Sequence, residues 1–301
     1  MVFSFKNKYR DMFKQRDEEV LMQHPFSAEE AIRNRVSVRN FKDQSIEADK
    51  LKMLKAFLKE CHNPFNHEVN FHLFEVPDSS SSQKLGTYGV IKGAKHYLGA
   101  SIVLREYALE ACGYEMEHAI LFLTSMNLGT CWLGGTFNRK AFAKSLNITD
   151  GEILPVITPI GYAHDQRHIQ EAIMRRVVKA DQRLPWKDLF FYEDFHASLL
   201  EEHINDYAFV CEMVRLAPSA SNKQPWRIVY HQKAFHFYED QTPGYSTAFL
   251  YDIQHIDMGI AAAHFELAAK EKGLQGCFVF NQNHLDVLPK NMHYAFTWKC
   301  L

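Results

Sequence analysis

The sequence predicts an α+β fold built from two related halves, on three observations. Segments with helical hydrophobic period alternate with short β-rich runs along the whole chain, instead of separating into a helical block and a strand block. A faint internal repeat sets Gly113, His118, Leu121, Leu128 and Cys131 in register with Gly259, His264, Leu267, Leu274 and Cys277, at the constant offset of 146 that separates Gly113 from Gly259. Finally, 301 residues with 47% hydrophobic content can bury a large core as two domains or one large one.

The elements follow in order. Tyr9, Met12, Phe13, Arg16 and Val20 stand at helical spacing, which predicts an amphipathic N-terminal extension over residues 1–26 that packs on its own body. Ser27-Ala-Glu-Glu30 matches a capping box, with Ser27 as the cap and Glu30 reaching back, and opens a short helix to about Arg35. Leu51, Leu54 and Leu58 mark the next helix, and the alternation of Val69, Phe71 and Leu73 marks a strand. The run Asp78-Ser-Ser-Ser-Ser-Gln83 reads as a flap or a linker. From Cys112 to Asn127, Met116, Ala119, Ile120 and Leu123 share one helical face, with Gly129 placed for a helix terminus. Trp132-Leu-Gly-Gly135, a helix over 138–146 and a β-rich run over 156–162 complete a first half, 27–190. A connection over 175–194 leads to a second, partial half, 191–301, with helices over 201–214 and 254–272 and strands after Trp226, near 277–280 and near 294–298.

Lys+Arg 34 against Asp+Glu 36 gives a formal charge of -2, so nothing global attracts nucleic acid or an anionic membrane. Six cysteines without a CxxC pair and an N-terminus without a secretory apolar core suit a reduced, cytoplasmic protein. No apolar run approaches the ~18 to 20 residues of a membrane span.

Two segments carry candidate chemistry. In Arg35-Val-Ser37-Val-Arg39, an extended backbone sends both guanidiniums and the hydroxyl to one face, a donor set suited to phosphate or to a solvated strand paired with Glu29, Glu30 or Asp43. The loop Arg215-Leu-Ala-Pro-Ser-Ala-Ser-Asn-Lys-Gln-Pro-Trp226 fixes φ at Pro218 and offers Ser219, Ser221 and Asn222 for local hydrogen bonds or left-handed geometry. It reads as a ligand loop or an ordinary helix-to-strand turn. Glu115-x-x-His118 has half of a di-iron spacing without a second copy and reads as a solvent-facing pair; no metal site is expected. His62, His67 and His72 recur every five residues, on no common face. Walker A, GxGxxG and GxSxG sequences are all missing.

Together these segments resemble the FMN-dependent nitroreductase family. Arg35-x-Ser37-x-Arg39-x-Phe41 looks like its flavin-phosphate motif, Pro218-Ser-Ala-Ser-Asn-x-Gln-Pro-Trp226 like its flavin-contacting loop, and Asn127-Leu-Gly-Thr-Cys-Trp-Leu-Gly-Gly135 like its central helix end and the turn beside the isoalloxazine. Gln182-Arg-Leu-Pro185 resembles the segment whose Arg also meets phosphate. The two motifs stand much further apart than in the ordinary homodimeric family, so the chain resembles a fused branch whose halves form an intramolecular pseudo-dimer.

The resemblance implies one FMN, with Arg35, Val36, Ser37, Arg39 and Arg183 at the phosphate end. Pro218, Ser219, Ala220 and Asn222 would lie along the ring and ribityl chain, and the Gly134 and Gly135 backbone near N5. It further implies hydride transfer from NADH or NADPH to a small acceptor such as a nitroaromatic or quinone, in a monomer or, alternatively, a dimer. A non-catalytic flavin-binding or flavin-sensing protein on the same scaffold stays open.

Overall fold

The first helix, α1 (Ala28–Asn34), begins where Ser27 predicts, with Ser27 Oγ accepting from Glu30 N at 3.2 Å. A further partner comes from a distant helix. Glu271, 244 residues downstream of Ser27, accepts from Ser27 Oγ at 2.8 Å and from Glu29 N at 2.9 Å, so a tertiary carboxylate takes up a first-turn amide and the cap's own hydroxyl. The computed structural model describes residues 26–75, 86–164 and 182–301; the expected N-terminal helix, the serine run and much of the predicted connection lie outside them.

Among the described residues, ten strands form two sheets. The first contains β1 (Asn70–Glu75), β2 (His96–Val103), β3 (Gly129–Thr130) and β4 (Glu152–Gly161), in the order β1-β2-β4-β3. Its helices are α1, α2 (Ala48–Glu60), α3 (Ala108–Ser125) between β2 and β3, and α4 (Arg139–Ser145). The second sheet contains β5 (Phe190–Tyr192), β6 (Ala197–Ser198), β7 (Trp226–His231), β8 (Ala234–Asp240), β9 (Gly276–Val279) and β10 (Met292–Cys300), in the order β6-β5-β7-β8-β10-β9. Helix α5 (Tyr207–Arg215) precedes β7, and α6 (Gln254–Glu271) joins β8 to β9. The order β7-β8-β10-β9 with α6 between its second and third strands repeats β1-β2-β4-β3 with α3 in the same place. The fold is α+β, as predicted.

Helices α3 and α6 lie against each other through two glycines. A Cβ on Gly113 would stand 2.1 Å from Ile256 O, and one on Gly259 would stand 2.0 Å from Glu110 O. These contacts are reciprocal: the offset that carries Gly113 onto Gly259 also carries Glu110 onto Ile256. Absence of a side chain at both points lets the backbones touch.

The amphipathic face expected of α3 is replaced by burial on nearly every side, from Ala108 to Leu123. Glu115 and His118, expected to face solvent, illustrate the difference. Glu115 is only 4% exposed and accepts from Asn63 Nδ2 at 2.5 Å, while the His118 ring packs 4.5 Å from that of Tyr114. A helix buried on nearly every side has no water-facing face to spare, so Glu115 and Glu117 find their partners inside the protein. Glu117 is likewise fully buried, accepting from Trp132 Nε1 at 2.8 Å and lying 2.9 Å from His264 Nε2. Around this helix pair the core includes fully buried Trp226, Trp298, Phe237 and Phe296, each worth roughly 1.5–3 kcal/mol relative to exposure.

The predicted helix over 201–214 is broken into a 3-10 turn, Glu201–His203, and α5. No described helix is long and apolar enough to cross a membrane.

Candidate functional site

Residues 35–41 leave α1 as extended chain beside the first sheet. Ser37 bridges Thr130, with Val38 N donating to Thr130 O at 2.7 Å, and Arg39 O accepts from Lys92 N at 2.9 Å. That anchoring turns alternate residues to opposite sides. Val38 packs into the core over Gly129, where a Cβ would sit 2.7 Å from Val38 Cγ2, and Arg35, Ser37 and Arg39 face a cavity of about 440 Å³. Val36, on the other side with Val38, is 50% exposed and does not line it; the same alternation that presents its neighbours points its side chain away.

The opposite wall is the loop 218–222. Ser221 (φ 49), Asn222 (φ 56) and Gln224 (φ 49) all adopt the left-handed conformation, while Ser219 is extended. Such backbone costs of order 1–3 kcal/mol per residue and needs local support. Ser219 Oγ accepts from Gln224 N at 2.8 Å, Gln224 Oε1 accepts from Leu184 N at 2.8 Å, and Asn222 Nδ2 donates to Gln182 O at 2.8 Å. Arg183 donates to Leu216 O at 3.1 Å and to Asn222 Oδ1 at 3.2 Å. The segment after Gln182 and the loop are therefore one stapled unit, and sequence gave no sign that Gln224 holds it together.

Arg35, Ser37, Arg39, Gly134, Gly135, Arg183, Pro218, Ser219, Ala220 and Asn222 all line the same cavity, although they lie up to 187 positions apart in the chain, from Arg35 to Asn222. Arg39 Nε and Nη1 are buried without a hydrogen-bond partner among the described residues. Gly134 O accepts from Arg139 Nη2 at 2.6 Å, and the Arg139 guanidinium lies over the Phe249 and Tyr251 rings at 5.4 and 6.0 Å, which fixes the glycine turn against the 245–251 segment. Tyr245 closes on the loop through a hydrogen bond from its hydroxyl to Ser221 Oγ at 2.8 Å.

The remaining wall comes from α6 and the residue before it: Ile253, Ile256, Asp257 and Ile260. Asp257 is 2% exposed and accepts from Ala220 N at 2.9 Å through Oδ1. Burial raises its pKa well above the ordinary aspartate value, against the hydrogen bond from Ala220 N, which lowers it. The sequence carried a usable sign here, an acid inside an isoleucine stripe of helical period. The site thus combines a strongly cationic set of donors with an apolar set of walls. It can hold an elongated anion that has a flat apolar body.

A family model described as "Putative TM nitroreductase" matches residues 28–269. The crystal structure of a "putative nitroreductase" from Thermotoga maritima superposes with a TM-score of 0.58 at 20% identity, covering 91% of this chain and 94% of that one. A nitroreductase with bound FMN from Bacteroides fragilis aligns over 48% of this chain and 92% of its own, at 19% identity and a TM-score of 0.40. A nitroreductase family protein from Clostridium novyi aligns over 46% and 87%, at 21% identity and a TM-score of 0.41. No curated protein matches the sequence. With the model matched over most of its length and the whole-chain superposition agreeing in fold, the chain belongs to this nitroreductase family.

Proposed function

We propose that the protein binds one FMN in this cavity and passes hydride from NADH or NADPH to a small acceptor such as a nitroaromatic or quinone. The observation that carries the reading is the convergence of Arg35, Ser37, Arg39 and Arg183 with the 218–222 loop around one cavity. Arg39 supports it most directly, since its Nε and Nη1 are buried and have no hydrogen-bond partner among the described residues. A phosphate monoester, with charge about −1.5 to −2 and three acceptor oxygens, matches that donor set.

Arg35, Ser37, Arg39 and Arg183 would hold the phosphate, with Val36 contributing only backbone. Pro218, Ser219, Ala220 and Asn222 would line the ring and ribityl chain, and Gly134 and Gly135 would offer backbone close to N5. FMN supplies reversible hydride acceptance when bound. The chain's own part is to bind, orient and keep water away: Val156, Ile253, Ile256 and Ile260 give an apolar wall, and Asp257 holds the loop by accepting from Ala220 N. Nicotinamide and acceptor would use one opening in turn, so initial-rate plots should show parallel, ping-pong lines.

We read residues 27–190 and 191–301 as two halves of an intramolecular pseudo-dimer, preceded by the extension 1–26. The matched strand orders and the reciprocal glycine contacts support this division; β5, at the boundary, already pairs with β7.

The test is reconstitution. Purified protein incubated with FMN and desalted should be yellow and should bleach with NADH or NADPH under anaerobic conditions, then regain colour with nitrofurazone or menadione. Protein that stays colourless defeats the binding assignment. Yellow protein that neither nicotinamide reduces would instead be a flavin-binding module without the reductase activity.

A further inference from the structure

A second cluster of polar side chains lies beside the cavity wall and has no part in the reading above. Glu239 is next to last in β8, Asp252 precedes α6, His255 is in the first turn of α6, and Glu110 is in the first turn of α3. Glu239, Asp252 and His255 each offer a ligand atom within 4.8 Å of the others. We propose that these three residues, backed by Glu110, bind one divalent first-row cation of the Zn2+ class.

The geometry has the features that a metal site requires. His255 Nδ1 lies 2.7 Å from Glu110 Oε1, so an Nδ1–H donates to Glu110 and Nε2 is the nitrogen left to face Glu239. A metal-bound histidine is oriented in just this way by a carboxylate on its second nitrogen. Nε2 then stands 3.4 Å from Glu239 Oε2. That is long for a hydrogen bond, but two ligands each about 2.0–2.2 Å from a tetrahedral ion are about 3.4 Å apart. Asp252 is held by its own donors, with Oδ1 accepting from Ser246 Oγ at 2.7 Å and Gln254 N at 3.0 Å and Oδ2 accepting from Gln241 Nε2.

A second observation points to a ligand independently of the spacing. The Glu239 side chain is 4% exposed, and its Oε1 is buried with no hydrogen-bond partner among the described residues; Glu110 Oε2, on a side chain 3% exposed, is in the same condition. A single imidazole faces three carboxylates, and it is the only basic ion-pair partner of Glu110 and Glu239 among the described residues. Leaving buried carboxylate oxygens unmatched is costly, the more so when they are charged. An ion would remove that cost. The His255 side chain, 42% exposed, gives it a path in from solvent and leaves a fourth position for water. One imidazole with two carboxylates favours Zn2+ or a similar ion over Mg2+ or Ca2+, which prefer all-oxygen sites. Such an ion would tie β8 and α6 to the start of α3, beside the Gly113–Gly259 crossing, and so staple the two sheets' central helices together.

The test is independent of flavin. Full-length protein is stripped with a chelator, dialysed, and titrated with Zn2+ against a chromophoric chelator, with thermal midpoints measured in parallel. One Zn2+ per chain should bind, the midpoint should rise, and Mg2+ or Ca2+ at the same concentration should do neither. Asp252→Asn, at a half-buried position chosen to keep the fold, and His255→Gln should each weaken Zn2+ at least tenfold, and Glu110→Gln should weaken it tenfold to a hundredfold. The proposal is overturned if Zn2+ does not bind at one equivalent, if binding survives in both Asp252→Asn and His255→Gln, or if Mg2+ competes equally. It is also overturned if His255→Gln lowers the metal-free midpoint while Zn2+ leaves the wild-type midpoint unmoved, which would identify a simple buried imidazolium clamp.

Discussion

Arg39 is half-buried, and two of its donor atoms are buried without a hydrogen-bond partner among the described residues, an arrangement that is costly to build unless a ligand completes it. Charge-assisted hydrogen bonds contribute roughly 1.5–3 kcal/mol each, so Arg35→Ala or Arg39→Ala should each weaken FMN retention about tenfold to a hundredfold. Ultrafiltration of the reconstituted protein measures this, and the loss should steepen with salt. Glu115→Gln should leave retention unchanged; equal losses in all three variants would remove the phosphate assignment. These arginines were legible in the sequence because extended backbone alternates by itself, which also explains why Val36 falls outside the cavity. Tyr245 and Phe249 were not legible, because their faces depend on how the 245–251 segment docks.

At the scale of elements, the α3–α6 crossing is the most constrained contact. An alanine at Gly113 or Gly259 would place a methyl about 2 Å from a backbone oxygen, which cannot move aside as a side chain could. Gly113→Ala should therefore cost about 1–3 kcal/mol or more, seen as a lower urea midpoint, and Gly259→Ala should cost a similar amount. A neutral result at both would mean that the helices separate freely. Burial of α3 also gives a pH dependence. Burial raises the Glu115 pKa from 4.5 to about 7, against the opposing hydrogen bond from Asn63. The folded state therefore holds this proton more tightly than the unfolded chain, so the group's contribution is greatest below pH 4.5 and declines as pH rises to about 7. The decline is on the order of 3 kcal/mol, and Glu115→Gln should flatten that part of a stability–pH curve. Sequence periodicity found α3 and α6 but overlooked β2 and β8. Both are buried along almost their whole length, so neither shows the alternation that marks a half-exposed strand.

At the scale of the molecule, the cavity wall takes its phosphate-type donors from residues 35–39 and its loop from residues 218–222, so the chain should complete one such site and bind one FMN. Absorbance at 450 nm against protein concentration checks this, and two flavins per chain would contradict the pseudo-dimer reading. The sequence alone determined the alternation of helices and strands, the donors on one face of an extended segment, and the left-handed geometry open to Ser221 and Asn222, though not that of Gln224, since each depends on backbone geometry within a few positions. Only the tertiary structure decided that these segments share a cavity, that Glu271 completes the cap at Ser27, and that Glu110, Glu239, Asp252 and His255 meet. Contacts across a hundred or more residues are set by how the two sheets and their central helices pack, and local periodicity carries no record of that.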